Sequence, residues 1–141
     1  MGLLDNYSGI GMSPRPKWQH QIAMSNFMTN AAREIRREGL LVLTEATVTD
    51  DWDDLAPDLV IFDKLFNPLT VIEITRTEQL NNIIYKCEEL MERFPDSEYF
   101  VYDYEHEVLC FYDIQTGQWA TSDYYELRST YLSKPVIAYF Q

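Results

Sequence analysis

Two carboxylates on neighbouring apolar segments are the side chains of this sequence best placed to do chemistry. Asp58 follows Pro57 and opens the run PDLVIFD, and Glu73 lies inside the run LTVIEIT. Both runs are rich in Val, Ile, Leu and Phe, and the segment KLFNP between them predicts the turn of a β-hairpin. A carboxylate within an apolar strand is costly to bury unless a cation meets it. Paired carboxylates at a strand end suit Mg²⁺ or Mn²⁺, which prefer hard oxygen ligands.

The pairing of a hairpin predicts how these two acids are arranged. With the turn centred on the FN dipeptide, antiparallel pairing sets Asp58 opposite Thr75, one rung from Glu73. The two-residue alternation of a strand places Glu73 and Thr75 on one face, while the isoleucines beside them point into a core. The spacing alone favours a second interpretation, in which Asp58 caps the strand entry and Glu73 is a satisfied or edge-exposed strand acid.

Length and composition predict one domain. The chain has 141 residues and is 46% hydrophobic, which is enough for a sizeable core. No segment approaches the roughly 18 uninterrupted apolar residues of a membrane span, and the N-terminus lacks the features of a signal peptide. We therefore expect a cytoplasmic protein without membrane contact. Cys87 and Cys110 stand apart from any CxxC or Cys/His cluster, which predicts buried free thiols.

The net charge of −12 argues against broad, nonspecific affinity for nucleic acid, because neutralising phosphates needs Lys and Arg. The charge is uneven along the chain. Residues 1–40 carry five basic and three acidic side chains (net +2), whereas residues 41–141 carry six and twenty (net −14). A contact with a polyanion would involve the basic residues of the first part: Arg15, Lys17, Arg33, Arg36 and Arg37. A solvated helix face is the alternative for these five.

Periodicity and turn signals predict an α+β order around the hairpin. Residues 1–16 mix Gly and Pro and predict an irregular arm, followed by the domain of residues 17–141. A first helix is predicted from Lys17 to Glu38 and should pack one face on the sheet. Its apolar residues recur at spacings near three and four: Ile22, Met28, Ala31 and Ile35. A second helix with a wide apolar stripe begins at Thr77 and ends at Pro95.

The remaining segments predict strands and turns. The acidic loop of residues 50–54 lacks the Gly and the distal Glu of a calcium loop and is expected to be a solvated turn. Strands are predicted at residues 40–49, 98–103, 108–113, 119–121 and 136–140, with a short helix at 124–130.

Polar residues on the two helices could complete a site at the hairpin. His20 lies near the first turn of the first helix and is the histidine positioned to reach the acids, although surface or capping roles are the default for a lone His. Asn82 and Lys86 are four residues apart on the second helix, so they share a face and could point toward Glu73.

The order of these elements resembles the PD-(D/E)XK nuclease superfamily, which has the restriction-endonuclease-like fold. The likeness extends to the branch of Uma-type restriction endonucleases. The motifs that carry it span about residues 12 to 140: MSP at 12–14, HQ at 20–21, PD at 57–58, VIEI at 71–74, Lys86, and PDSEYF at 95–100. Each motif is degenerate, and their order together is moderately specific.

The resemblance implies a mixed sheet flanked by helices and a Mg²⁺- or Mn²⁺-dependent homodimeric nuclease that hydrolyses DNA phosphodiester bonds. It implies that Asp58, Glu73 and the carbonyl of Ile74 hold the metal ion. Lys86 would orient the attacking water or stabilise charge in the transition state. The remaining residues implied at the site are a catalytic Thr75 and the substrate-binding His20, Gln21, Arg76 and Asn82.

The sequence departs from the pattern of the superfamily at three positions. The lysine expected two residues after the strand acid is Thr75, and the Ser-Pro-Ser of the branch becomes Thr75-Arg76-Thr77. The aspartate often found four residues before the helix lysine is Asn82. The resemblance therefore implies that Lys86 takes over the role of the lysine. It also leaves open a catalytically inactive nuclease-fold protein that acts as a protein-interaction module.

Overall fold

The computed structural model describes residues 18–45, 56–122 and 126–141, and it confirms the predicted α+β class. One mixed six-stranded sheet carries a helix on each face. The predicted arm, the acidic loop of residues 50–54 and the start of the predicted helix at 124–130 lie outside the described residues. Within the described ranges, no helix is long and apolar enough to cross a membrane.

The strands occupy the sheet in chain order, and only one neighbouring pair is parallel. The elements are α1 (Trp18–Arg37), β1 (Leu41–Thr44), β2 (Leu59–Phe62), β3 (Pro68–Thr75), a 3₁₀ turn (Thr77–Gln79), α2 (Leu80–Arg93), β4 (Glu98–Asp103), β5 (Val108–Asp113), β6 (Gln118–Ser122) and a 3₁₀ helix (Val136–Phe140). Strands β3 and β4 pair in parallel, and the other neighbours are antiparallel. Parallel strands need a crossover connection, and α2 provides it. The carboxyl ends of β3 and β4 therefore meet at one edge of the sheet.

Strand β3 is buried on both faces, because each face of the sheet carries its own apolar layer. Ile72 and Ile74 belong to the layer that contains α1, as predicted. Val71 belongs to the layer that contains α2, and the alternation of the strand puts Glu73 on that same face. Cys87 and Cys110 also lie in this second layer as buried free thiols, which confirms the prediction for the cysteines.

Helix α1 runs from Trp18 to Arg37, within the predicted bounds, and Ala31 and Ile35 are buried as predicted, whereas Ile22 is not. The side chains that pack on the sheet follow a regular four-residue spacing: Ala23, Phe27, Ala31 and Ile35. The prediction that Ile22 faces the core is wrong, since its side chain is 50% exposed. The buried face of α1 is this i, i+4 row of two alanines and two large residues. The small alanines let the helix approach the sheet closely.

The two isoleucines of α1 provide a matched test of this face. Truncating the fully buried Ile35 to alanine is expected to lower the free energy of unfolding by roughly 2–5 kcal/mol, because it leaves a cavity. The same change at Ile22 is expected to alter it by less than about 0.5 kcal/mol. Urea unfolding of both variants, followed by circular dichroism, measures the difference. Equal costs at the two positions would contradict the observed face.

The register of the β2–β3 hairpin also differs from the prediction. Leu59 pairs with Ile72, so continuing the ladder brings Asp58 beside Glu73 rather than Thr75. The predicted pairing of Asp58 with Thr75 is therefore wrong, and the two acids are closer in register than expected.

The turn, together with a register irregularity between Ile61 and Phe62, explains the shift. The Asp63 carboxylate accepts hydrogen bonds from the backbone N–H groups of Leu65 and Asn67, each at 2.9 Å. The backbone N–H of Asp63 also donates to the carbonyl of Asn67, and Phe66 takes a left-handed conformation with φ of 62°. An Asx-type turn built on Asp63 therefore closes the hairpin earlier than a turn centred on the FN dipeptide would.

Two predictions for the C-terminal segment and one for the first strand need correction. The predicted strand at 136–140 is a 3₁₀ helix that packs on α1. Asn26 and Asn30 of α1 donate their side-chain N–H groups to the carbonyls of Phe140 and Tyr139, so this segment needs no strand partner.

The predicted helix at 124–130 is not observed, since residues 126–130, the described part of it, form no helix. The predicted strand at 40–49 is observed as β1 up to Thr44, and residues 46–49 lie outside the described part.

Candidate active site

Asp58 and Glu73 converge at the end of the hairpin. The backbone N–H of Asp58 donates to Oε1 of Glu73 at 3.4 Å. In the other direction, Oδ2 of Asp58 accepts a hydrogen bond of 2.7 Å from the backbone N–H of Ile74. Each carboxylate is therefore held by the strand that carries the other, and this reciprocal bonding sets their relative position without any ligand.

Lys86 of α2 brings a positive charge to Glu73. Its Nζ lies 2.9 Å from Oε2 of Glu73 and donates to the backbone carbonyl of Ala56 at 2.9 Å. The Glu73 side chain is only 1% exposed, and among the described residues its Oε2 is contacted by the Lys86 ammonium without a hydrogen bond of good geometry. The lysine side chain is 21% exposed, which leaves part of it accessible to an incoming ligand.

His20 links α1 to the same place. Its Nε2 lies 3.1 Å from Oδ2 of Asp58, the oxygen that also accepts the Ile74 hydrogen bond. The structure thus brings together four side chains from four parts of the chain, and we call this group the acid–lysine site: His20, Asp58, Glu73 and Lys86. The sequence analysis named all four, but their mutual contacts depend on how both helices dock on the sheet.

Three of the other predicted residues lie near this site without joining it. Thr75 is buried on the same face of β3 as Glu73, and its hydroxyl donates to the carbonyl of Arg76. Asn82 is exposed and donates to the side chain of Gln79 in the 3₁₀ turn before α2, so the prediction that it points toward Glu73 is wrong. Gln21 is exposed and lies about 100° around α1 from His20.

Arg76 occupies the junction between β3 and α2. Its Nη2 forms an ion pair with Glu78, whereas its Nη1 is buried without a hydrogen-bond partner among the described residues. A buried guanidinium N–H that donates no bond is costly, and a polyanion is a suitable acceptor for it.

A second polar cluster at the same edge of the sheet was missed by the sequence analysis. Asp103, at the end of β4, pairs in register with Thr75 and is almost fully buried. The hydroxyl of Thr77 lies 2.6 Å from Oδ2 of Asp103 and 2.6 Å from Nδ1 of His106. The aspartate at the end of an apolar strand was a visible signal, but only the parallel pairing of β4 with β3 places it near the acid–lysine site.

The two acids of the site have opposite shifts of their pKa values. Burial, followed by the negative charge of Asp58, raises the pKa of Glu73 to about 8, although Lys86 opposes the shift. Burial alone would also raise the pKa of Asp58. The hydrogen bond and charge of His20, together with the Ile74 N–H, outweigh that effect and hold it below its ordinary value. Near neutral pH the metal-free pair therefore carries its charge on Asp58 and a proton on Glu73.

The raised pKa of Glu73 predicts a pH-dependent stability. Between about pH 4.5 and pH 8 the unfolded chain releases the Glu73 proton and the folded chain keeps it. The free energy of unfolding of the metal-free protein should therefore fall as the pH rises through this window, by up to about 1.4 kcal/mol per pH unit. The Glu73→Gln variant lacks this titration, and urea unfolding of both proteins at pH 5, 6.5 and 8 in EDTA measures the difference. Parallel pH profiles would contradict the shift.

The carboxylates of the site provide two oxygen donors for a divalent cation. Among the described residues, no group of three or more His, Cys, Asp and Glu side chains is arranged to hold a metal ion. Mg²⁺ usually keeps several waters, however, and binds proteins through one or two carboxylates. Asp58 and Glu73 fit that pattern, and Oε2 of Glu73 lies 2.9 Å from Nζ of Lys86, with which a bound ion would compete for this oxygen.

This geometry offers two carboxylates, an ammonium group and an imidazole at one end of a rigid sheet. Such a set can bind a hydrated divalent cation and contact an oxyanion beside it. The sequence matches no protein-family model and no curated protein.

Proposed function

We propose that the protein is a metal-dependent nuclease that hydrolyses phosphodiester bonds in DNA. The observation that carries the proposal is the contact of 2.9 Å between Lys86 and the buried Glu73, directly beside Asp58. Two acids on neighbouring strands and a lysine from the following helix are the combination implied by the resemblance to PD-(D/E)XK nucleases. A buried contact between a lysine and an acid is weak evidence for a stabilising role, since apolar residues of similar volume often stabilise a fold equally well. The contact between Lys86 and Glu73 at a strand end therefore favours a chemical role.

In this proposal Asp58 and Glu73 hold Mg²⁺ or Mn²⁺, with the carbonyl of Ile74 as a further ligand. When bound, the ion lowers the pKa of a coordinated water and neutralises charge on the scissile phosphate. Glu73 gives up its proton as the ion binds, because only the carboxylate is a good ligand. His20 keeps Asp58 ionised through their contact of 3.1 Å.

Lys86 supplies the positive charge for the transition state. Its Nζ is fixed by the Ala56 carbonyl and by Glu73, so it needs little reorganisation before it donates to the attacking water or a phosphoryl oxygen. This placement replaces the lysine that the superfamily carries at the position of Thr75. Arg76, with its unpaired buried Nη1, is positioned at the same edge of the sheet to contact a neighbouring phosphate.

A second candidate function is that of a nuclease-fold module that binds a protein partner. Two observations favour it: the hydroxyl of Thr75 at the usual lysine position, and the exposed apolar tip of the β2–β3 hairpin at Leu65 and Phe66. Exposed apolar patches often mark protein interfaces. A module of this kind would bind its partner without taking up a metal ion.

The test combines cleavage and metal uptake. Plasmid and single-stranded circular DNA are incubated with the protein in Mg²⁺, in Mn²⁺ and in EDTA, and Mn²⁺ binding is followed by titration calorimetry. The nuclease proposal expects cleavage only with a metal ion and a measurable heat of binding. Intact substrates together with no metal uptake would reject the nuclease and favour the interaction module. Light scattering of the same sample tests the homodimer that the resemblance implies.

A further inference from the structure

A groove of about 430 Å³ lies between α1 and the carboxyl end of β4, on the α1 side of the sheet. Its floor includes Tyr102 and Phe140, whose rings are stacked at 4.2 Å with an angle of 10°. One wall is formed by Gln19 and Ile22 of α1, and the other by Tyr104 at the end of β4. The volume is within the range of about 300–1,000 Å³ that is usual for ligand sites.

Both walls of the groove belong to segments that also build the acid–lysine site. Gln19 directly precedes His20, which contacts Asp58. On the other side, the backbone N–H of Tyr104 donates to the carbonyl of Thr75 at 3.1 Å, two residues after Glu73. Glu73 lies on the opposite, α2 face of the sheet, so a strand of DNA that contacts both the groove and Glu73 must pass over the end of β3 and β4, where His20 contacts Asp58.

The lining favours a flat, uncharged occupant with polar edges. Ile22 offers an exposed apolar side chain, and Tyr104 offers an aromatic ring that is partly exposed. The exposed amide of Gln19 can both donate and accept hydrogen bonds. A nucleobase has these properties, since every base has a π-face for stacking and a polar edge.

Charge favours an unpaired base over a base pair in a duplex. Contacts with duplex DNA depend on neutralising many phosphates, and this chain has a net charge of −12 with Glu105 in the wall of the groove. Stacking of a single base needs no cationic side chains. An acidic nuclease therefore gains more affinity from stacking than from phosphate contacts.

We propose that this groove holds an unpaired nucleobase next to the scissile phosphate, so that the substrate is single-stranded DNA. This inference rests on the proposed nuclease function for the position of the base relative to the cleaved bond. The groove and its stacking surface are nevertheless present without the chemistry, and the two claims can be tested separately.

Binding of a fluorescently labelled oligo-dT 15-mer, measured by anisotropy in EDTA, tests the groove. Tyr104→Ala is expected to weaken binding about 5- to 150-fold, the range for loss of one stacked base, whereas Tyr104→Phe keeps the ring and should bind like the wild type. Tyr85→Ala is the matched control, because Tyr85 is 73% exposed on α2, outside the groove. A duplex of the same length should bind at least about tenfold more weakly than the single strand.

Ile22→Ala is a second groove variant for the case that Tyr104→Ala does not fold. Ile22 is exposed, so its truncation leaves the core intact while removing an apolar wall. Weakened binding of oligo-dT by Ile22→Ala supports the groove. If both Tyr104→Ala and Ile22→Ala bind oligo-dT with wild-type affinity, the groove proposal is overturned. If Tyr104→Ala is unfolded, wild-type affinity of Ile22→Ala alone overturns it. Equal affinity for single strand and duplex also overturns it.

Steady-state cleavage in Mn²⁺ separates the two claims. If the protein cuts DNA, loss of the base contact in Tyr104→Ala should raise KM with kcat nearly unchanged, because the base is bound in both the ground and transition states. Cleavage with an unchanged KM would reject the groove and leave the nuclease standing. Binding of oligo-dT that depends on Tyr104, in a protein that cuts no substrate, would reject the nuclease and leave the groove standing.

Discussion

Replacement of Glu73 by glutamine is expected to reduce metal-dependent DNA cleavage by about 100-fold or more. The change keeps the size and hydrogen-bonding shape of the side chain but removes the negative charge that a hard cation requires. Glu73 is almost fully buried and its carboxylate is held by the backbone N–H of Asp58, so the replacement removes the charge at a fixed position. Cleavage of single-stranded and plasmid DNA in Mn²⁺, together with Mn²⁺ titration calorimetry, should show that activity and metal affinity are lost together.

The matched control for this variant is Glu89→Gln. Glu89 is exposed on α2 and its replacement changes the net charge of the protein by the same amount. The control should cleave at the wild-type rate, which separates the loss of a ligand from a general effect of charge on binding to DNA. Wild-type cleavage by Glu73→Gln would remove the carboxylate pair from the mechanism.

Replacement of Lys86 by methionine is expected to separate chemistry from metal binding. Without the ammonium group, charge in the transition state is no longer stabilised, and kcat should fall by about 100- to 1,000-fold. The two carboxylates remain, and the ion no longer competes with Lys86 for Oε2 of Glu73, so Mn²⁺ affinity should stay the same or increase. Single-turnover cleavage at saturating Mn²⁺, combined with calorimetry, measures both effects.

The stability of Lys86→Met should depend on pH in the absence of metal. At pH 6 Glu73 keeps its proton, because its pKa is raised to about 8, and the loss of Lys86 leaves no uncompensated charge in the core. Removal of Lys86 removes the charge that opposes the rise in the pKa of Glu73, so Glu73 should keep its proton to a higher pH than in the wild type. Above pH 8 the unfolded chain releases this proton and the folded variant keeps it, so the free energy of unfolding should fall below that of the wild type. Lys64→Met, which replaces an exposed lysine in the β2–β3 turn, is the control and should change neither cleavage nor the pH dependence of stability.

Undiminished cleavage by Lys86→Met would place the lysine outside the mechanism and leave its contact with Glu73 as a structural one.

The sequence by itself determined the local elements of this fold and the identity of the candidate site. Helices α1 and α2 and strands β2 to β5 follow from apolar periodicity and turn residues, which act over a few neighbouring positions. Asp58 and Glu73 could be paired in advance because a short hairpin joins their strands. Lys86 and His20 could be named because each lies on a helix of predictable phase.

Only the tertiary structure decided the contacts that the site depends on. The Asx-type turn at Asp63 and the register irregularity between Ile61 and Phe62 together set Asp58 beside Glu73, and apolar patterning encodes neither of them. The parallel pairing of β3 with β4 brought Asp103 to the same edge, because this pairing requires α2 to cross over and pack on one face of the sheet. The apolar run at 136–140 has no strand partner. The asparagines of α1 satisfy its carbonyls instead, so packing overrode the local preference of the sequence.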